Sequence, residues 1–357
     1  MKRYDNVYAV VIAGGEGRRL WPLSTPESPK QFISVFGGKS LIRHAVDRLE
    51  GLIPPERTFV VTAAKFVGRT RRELPHIPSA NIIGEPCRRD TAGAVAIACA
   101  LVKRSGGDDA VGCVLPADQL IYPPSKFRRT LRDGVTAAMR SDAIVTIGIV
   151  PDRPASEYGY IECGEEAGFK TKSKIEHVHR FIEKPDTKTA EAYLKTNRYL
   201  WNAGMFIWRA KTLENAFAAA PDIGKIINRL TEAKSVPAAL KRLYPGLRAI
   251  SFDYAVMEKT GNILVARGLF KWDDVGSWLS LSKHFRADAF GNRCIGNTAV
   301  YETSASTVVS DDGHLVAVAG LNDVVVVRTG NATLVMSSAM ADRMKTVCSV
   351  VTPADAN

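Results

Sequence analysis

The sequence has no apolar run near the ~18 residues that a membrane-spanning helix requires. The longest run, Ala94 to Val102, falls well short, so no membrane partner is expected. Cysteines are few and scattered: Cys87, Cys99, Cys113, Cys163, Cys294 and Cys348. None forms a C-x-x-C pair, which excludes a clustered zinc site or a dithiol motif and fits a reducing cytoplasm. Histidines are also few. His177 and His179 alternate on an apparent strand, and two imidazoles alone make a poor metal site, so surface placement is expected. Acidic residues are in deficit, with Asp+Glu 37 against Lys+Arg 48 and a net charge of +11. Such an excess points to an anionic partner: nucleic acid, a membrane surface or a phosphorylated small molecule. No zinc-finger, RRM or KH pattern is present, and the basic residues lack aromatic interleaving, which argues against nucleic acid. With 46% hydrophobic and 24% charged residues over 357 positions, the chain is globular rather than disordered.

Val7 to Ala13 is a continuous apolar run that stops at Gly14-Gly15-Glu16. No small-residue cleavage pattern follows, so it reads as a strand buried on both faces rather than a signal peptide. Similar runs recur at Thr58–Ala63, Asn81–Gly84, Ala110–Leu115 and Ala143–Ile149, separated by helical patterns at Ser40–Leu49, Thr91–Lys103 and Phe127–Met139. This alternation predicts an α/β domain with a mainly parallel sheet. Strands with turns follow from Tyr158 to Lys184, then a helix at Thr187–Thr196, a strand at Ala203–Trp208, helical stretches from Lys211 to Tyr244 and a strand at Asn262–Phe270. After Ala289, short runs alternate with Gly, Asn and Asp, which predicts a small all-β appendage of stacked strands with a solenoid character. At ~100–200 residues per domain, the chain divides into 1–289 and 290–357.

The first strand delivers Gly14-Gly15-Glu16-Gly17-Arg18-Arg19-Leu20-Trp21-Pro22-Leu23. Glycines let a backbone approach an anion, and arginines neutralise it and bind its oxygens bidentately. Leu20 stands where a dinucleotide fingerprint needs its third glycine, and Ile33 stands where a P-loop ending in Gly38-Lys39-Ser40 needs its first. Lys30, in Ser28-Pro29-Lys30-Gln31-Phe32, adds a further cation close by. A glycine-rich turn by itself is more often only a turn. The cations change that balance toward phosphate binding.

Taken together, Gly14–Leu23 and Pro29–Phe32 resemble the signature of the sugar-1-phosphate nucleotidylyltransferases, and Leu20-Trp21-Pro22-Leu23 resembles their mannose-1-phosphate guanylyltransferase branch. The resemblance spans nearly the whole chain. Glu85-Pro86 with Arg89-Asp90-Thr91-Ala92, Leu115–Asp118, Tyr158–Glu162, Phe181–Pro185, Trp201–Phe206, Asp253–Lys259 and Trp272–Trp278 resemble further blocks in family order. The resemblance implies a Rossmann-like nucleotidyltransferase fold with a mixed, mainly parallel sheet and a small left-handed β-helix-like domain. It also implies transfer of GMP from GTP to mannose 1-phosphate, giving GDP-mannose and pyrophosphate.

In that reaction a sugar phosphate oxygen, already an anion, attacks the α-phosphorus, so no general base is needed. The task is to bring two polyanions together. The resemblance implies Arg19 and Lys30 on the triphosphate and the transition state. It puts Asp118 and Asp274 on one Mg²⁺, with Asp273 as a competitor for the second position. Gly14, Gly15, Gly17 and Arg18 would line the phosphates. Glu85, Arg89, Asp90 and Thr91 would face the base or ribose. Lys184 would hold the sugar phosphate, with Glu183, Asn202, Gly159 and Gly204 around the sugar. Taken alone, Asp118 reads as a helix cap and Asp274 as a turn residue.

Four positions depart from the family pattern: Arg18 for Thr, Arg88 for Gly, Asp90 for Asn and Gly93 for Pro. Three lie in the nucleotide loop, and Asp in place of Asn removes donors and adds charge. Base preference is therefore less firmly implied than the reaction. A guanylyltransferase for a heptose or fucose phosphate, or a non-catalytic nucleotide-sugar-binding regulator, are the alternatives. Longer relatives carry a cupin-type isomerase domain whose pattern is not found here, so a monofunctional enzyme is expected. The appendage is expected to pack on the catalytic domain or on a second subunit, leaving a homodimer open. Arg128, Arg129 and Arg132 read as solvated helix residues, and the +11 excess itself has no assigned role.

Overall fold

A computed structural model of the chain describes residues 4–15 and 17–351, except the side chain of Arg18. The phosphate role expected for that side chain therefore lies outside the described residues. Packing divides the chain into two compact units, each assembled from segments that are not contiguous in sequence. One unit comprises Met1–Gly14, Ala45–Ala117 and Ile121–Trp272; the other comprises Gly15–His44, Asp118–Leu120 and Asp273–Asn357.

The strands are, in chain order, β1 (Val7–Ala13), β2 (Thr58–Ala63), β3 (Ile82–Glu85), β4 (Val111–Pro116), the short β5 (Leu120–Tyr122), β6 (Ile144–Ile149), β7 (Tyr160–Glu166), β8 (Ile175–Ile182), β9 (Tyr199–Arg209), β10 (Ile263–Arg267) and the short β11 (Lys271–Asp273). Nine of them form the sheet of the first unit, in the order β3-β2-β1-β4-β9-β6-β10-β8-β7. β3, β2, β1 and β4 are parallel, as expected of apolar runs without polar alternation. β9 runs antiparallel between β4 and β6, so the sheet is mixed. Loops at the carboxyl ends of β1 and β4 carry the glycines and the segment leading to Asp118, where open α/β sheets bind ligands.

The helix Asp90–Gly106 is buried from Ala92 through Val102, so it is covered on all sides rather than amphipathic. Its small alanines permit that close packing in one core with Trp208, Phe217, Phe252 and the helix Pro221–Thr231. Gly112 is required by the same core, because a Cβ there would meet the Trp208 ring at 2.3 Å. Arg48 is buried, lies 5.3 Å over the Phe127 ring and donates to the Pro116 carbonyl at 3.1 Å, fixing the end of β4. Arg128 donates to the Arg48 carbonyl at 3.3 Å. It is therefore not simply solvated: its charge serves a backbone acceptor. His177 and His179 are both exposed, as expected.

In the second unit, β12 (Arg293–Ile295), β13 (Thr298–Tyr301), β14 (Thr307–Ser310), β15 (Val316–Ala319), β16 (Val324–Arg328) and β17 (Thr333–Ser337) build a solenoid. Parallel registers pair Thr307 with Val325 and Thr298 with Val316, an 18-residue rung in both cases. Val308, Val318 and Val326 pack together on one side of these strands. Val309, Val325 and Val327 pack on the other, in a core with Leu20, Leu41, Trp278 and Met344. β14 is thus buried on both faces. The appendage also carries an element that its composition did not announce, a closing helix at Met344–Val351.

Candidate active site

In the second unit, three sequence-distant segments meet at one ammonium. Lys30 begins a one-turn helix, Lys30–Phe32, and is 6% exposed. Its Nζ donates to Asp118 Oδ2 at 2.9 Å and to the Asp274 main-chain carbonyl. Gly15 passes over the same carboxylate, since a Cβ added there would lie 3.5 Å from Asp118 Oδ2. Gly17, at φ +64°, lets the loop turn directly against the stem of Lys30. Arg19 is half-buried on the adjoining one-turn helix Arg18–Leu20.

Asp273 and Asp274 differ in what they engage. Asp273 is saturated: its carboxylate accepts from the Val275 amide at 2.6 Å, from Ser280 Oγ and from His284 Nε2 at 3.1 Å. Burial opposes the charged form, but His284, Ser280 and the Val275 amide outweigh it and hold the pKa below the ordinary range. Asp274 bonds locally to the Gly276 amide at 3.2 Å. Between them Val275 adopts φ +48°, a costly backbone for a β-branched residue, of the kind concentrated at functional sites. Asp118 and Asp274 thus share Lys30, and Asp273 braces the turn.

The residues expected to face the nucleotide and the sugar lie in the first unit. Glu85 is buried at the end of β3, and its Oε1 accepts from the Tyr244 hydroxyl. Burial pushes the Glu85 pKa up, while Tyr244 and the Arg88 guanidinium act against that rise. Arg88 also donates to the Gly14 carbonyl at 3.3 Å, so this departure from the family pattern ties the nucleotide loop to the first glycine. Asp90 opens the long helix at φ +56°, a backbone that Asp and Asn tolerate better than most residues, and its Oδ1 accepts from the Thr91 amide at 2.7 Å. Thr91 and Arg89 turn away to protein partners: Thr91 Oγ1 accepts from the Phe252 amide at 2.8 Å, and Arg89 donates to the Pro245 carbonyl.

Gly159, Glu183, Lys184, Asn202 and Gly204, the residues expected around the sugar, form one connected group. The Asn202 amide donates to the Gly159 carbonyl at 2.8 Å, and the Gly204 amide to Asn202 Oδ1 at 3.0 Å. A Cβ on Gly159 would stand 2.7 Å from Glu183 Oε2, so any larger residue would push that carboxylate aside. Lys184 is exposed, pairs with Glu183 at 2.6 Å and holds φ +45°. Asn202 Nδ2 donates at 2.8 Å to Asp253, whose pKa is pushed up to about 6 by burial and then by the charge of Glu183. Asp253 and Tyr244 are the two residues here for which the sequence offered no role. Asp253 lies in a recognised block without an assigned task, and Tyr244 ends a stretch that reads only as helix.

A mixed nucleotidyltransferase-like sheet, a glycine–arginine loop and two aspartates on a lysine define a class, the nucleotidyl transferases. Residues 8–289 match the nucleotidyl transferase family, and residues 296–351 match the MannoseP isomerase/GMP-like beta-helix domain. The mannose-1-phosphate guanylyltransferase of Escherichia coli K12 is 36% identical over 353 residues, covering 96% of this chain and 73% of the relative. That of Sinorhizobium fredii NGR234 is 35% identical over 337 residues, and the match covers 92% of this chain but 64% of the relative, less than two thirds of its length. A crystal structure described as mannose-1-phosphate geranyltransferase, from Thermus thermophilus, superimposes with a TM-score of 0.87 at 34% identity, covering 97% of this chain and 99% of that one. The chain belongs to the mannose-1-phosphate guanylyltransferase family.

Proposed function

We propose that this chain transfers GMP from GTP to α-D-mannose 1-phosphate, releasing pyrophosphate and GDP-mannose. The observation that carries the reading is the Lys30 ammonium held between Asp118 and the Asp274 backbone, beside Gly15. That arrangement supplies fixed positive charge and hard oxygen donors at one place, which phosphoryl transfer needs, and no base for a proton that is already absent. Lys30 and Arg19 neutralise the triphosphate and the charge that develops on it. Lys184 takes the phosphate of the sugar phosphate, and Glu183 and Asn202 accept from and donate to sugar hydroxyls. Gly14, Gly15 and Gly17 let the backbone close on the triphosphate. Glu85 faces the base, with Arg89, Asp90 and Thr91 shaping its loop.

Members of this family use a divalent metal, and we take it to be Mg²⁺. Among the described residues no cluster of three or more His, Cys, Asp or Glu is placed to hold a metal. The donor set we propose is two carboxylates, Asp118 and Asp274. Such a set fits Mg²⁺, which keeps most of its shell for water and substrate phosphates rather than an all-protein cage. When bound, the ion supplies Lewis-acid stabilisation of phosphate oxygens. No described helix is long and apolar enough to cross a membrane, and all six cysteines are free. Both observations are compatible with the reducing cytoplasm we assign.

The test is pyrophosphate release by the purified chain from GTP plus mannose 1-phosphate, with and without Mg²⁺, beside ATP, UTP and a panel of sugar phosphates. Faster use of ATP or UTP would overturn the base. Faster use of a heptose or fucose phosphate would overturn the sugar, and no turnover with any pair would overturn the enzyme.

A further inference from the structure

The nucleotide loop rests on a support that no motif marks, residues 244–252. Tyr244 is fully buried, and its hydroxyl donates to Glu85 Oε1. The Pro245 carbonyl accepts from Arg89, the Ile250 carbonyl accepts from the Ala92 amide at 3.2 Å, and the Phe252 amide donates to Thr91 Oγ1 at 2.8 Å. Four of the loop's residues are thus tied to one short segment. Gly93 is part of the same arrangement. A Cβ at that position would lie 2.6 Å from the Tyr244 hydroxyl oxygen and 3.0 Å from the ring carbon bearing it. Glycine at position 93, where the family pattern has proline, is what admits the hydroxyl. The two oxygens of Glu85 are consequently unequal. Oε1 is engaged by Tyr244, whereas Oε2 lies 3.8 Å from where a Cβ on Gly14 would stand, beside the glycine loop.

Resting on the reading of Glu85 as the base-facing residue, we propose that Tyr244 is a positioning residue that sets base selectivity. By holding Oε1 and sparing Oε2, it presents Glu85 as an acceptor to the N–H edge of guanine. Guanine offers N1–H and a 2-amino group to such an acceptor; adenine offers a lone pair at N1 and is repelled; hypoxanthine offers N1–H alone. Gly93 acts through Tyr244 by leaving room for its hydroxyl. The charged and titratable neighbours of the pair are Arg88, on the loop of Glu85, with Cys87 and Arg89 facing Tyr244. Burial already disfavours the carboxylate, and the Tyr244 hydroxyl is one of two groups that oppose this. Without it, Glu85 takes up a proton at higher pH and becomes a weaker acceptor that also carries an O–H donor.

The experiment compares kcat/KM for GTP, ITP and ATP, each with mannose 1-phosphate, across pH, for the full chain and for Tyr244→Phe, Gly93→Ala and Glu85→Gln. Tyr244→Phe removes one oxygen. It should lower the GTP/ATP and GTP/ITP ratios at least roughly 10-fold, the size expected for one mispositioned hydrogen-bonding group. It should also move the acid limb of the GTP profile to higher pH and leave the KM for mannose 1-phosphate unchanged. Gly93→Ala should do the same by displacing the hydroxyl, which keeps the test decisive if Tyr244→Phe folds poorly. Glu85→Gln should flatten the ratios and abolish the acid limb. If Glu85→Gln keeps the wild-type ratios, the base-facing reading of Glu85 fails. If Glu85→Gln loses them while Tyr244→Phe and Gly93→Ala keep both ratios and pH profile, the role of Tyr244 is overturned.

Discussion

Gly17→Ala isolates how far the placement of Lys30 governs the reaction. Gly17 sits at φ +64°, and a Cβ there would stand 2.3 Å from Lys30 Cβ, 2.8 Å from Ser24 Oγ and 3.2 Å from Lys30 Cα. Carbon atoms pack at about 3.5–4.0 Å, so the base of Lys30 must retreat by about 1 Å. The obstacle is the root of the side chain, not a flexible tip, so the ammonium moves with it. A misplacement of about 1 Å costs on the order of 100-fold in rate, and the left-handed backbone adds ~1–2 kcal/mol of instability for an L residue. The expected result is a fall of about 100-fold in kcat/KM, read by pyrophosphate release, with the unfolding midpoint lowered by several degrees. Gly37→Ala is the matched control. Its φ is +63°, and a Cβ there meets nothing within 4 Å. It should show the backbone cost and keep its activity. Gly17→Ala within threefold of wild type, or Gly37→Ala equally inactive, would refute the reasoning.

Three further outcomes test other parts of the site. Asp118→Ala and Asp274→Ala should each lower kcat by about 100-fold or more. Both should abolish the rise in unfolding midpoint that Mg²⁺ with GTP gives the wild type; a preserved ligand-induced rise would remove that residue from the metal. Lys184→Gly relieves a φ of +45° and should stabilise the fold by about 0.5–1 kcal/mol while raising the KM for mannose 1-phosphate at least ~10-fold. An unchanged KM would remove Lys184 from the sugar phosphate. Asp253 has its pKa raised to about 6 in the fold. The native state therefore binds more protons than the unfolded chain between the ordinary carboxylate range and pH 6, and this group costs stability as the pH rises through that window. Asp253→Asn should abolish that loss, worth about 1–2 kcal/mol after allowing for partial exposure. Parallel stability–pH curves for the two proteins would contradict the assignment.

Much of the fold is legible in the sequence because it is written locally. β1 and β2 occupy the spans that their apolar runs predict, and β3, β4 and β6 lie within a residue or two of theirs. Those strands are covered on both faces, so hydrophobicity alone marks them. The helix Val67–Glu73 has no counterpart among the sequence-based expectations. Only Thr70 in it is buried, so little apolar signal exists to read. The order β4-β9-β6 is equally silent, because an antiparallel insertion between two strands depends on pairing across long separations rather than on local pattern.

The site follows the same rule. Gly15, Gly17 and Lys30 are conspicuous because each stands in a short run whose residue types make sense together, whereas Asp118 and Lys184 stand out only through the family resemblance. Tyr244 and Asp253 act through residues far away in sequence, on Glu85 and Asn202, and no spacing betrays such a pair. Residue types and local spacing thus specified an α/β chain with a β-solenoid and a glycine–arginine turn suited to phosphate, since composition and periodicity are properties of neighbours along the chain; the tasks expected of the other cations and of the carboxylates came from the family resemblance. Tertiary structure alone decided that Asp273 braces while Asp274 shares Lys30 with Asp118. It alone revealed that Tyr244 fills the space left by Gly93 and engages one oxygen of Glu85. Such choices are settled by which groups a folded backbone brings within hydrogen-bonding distance.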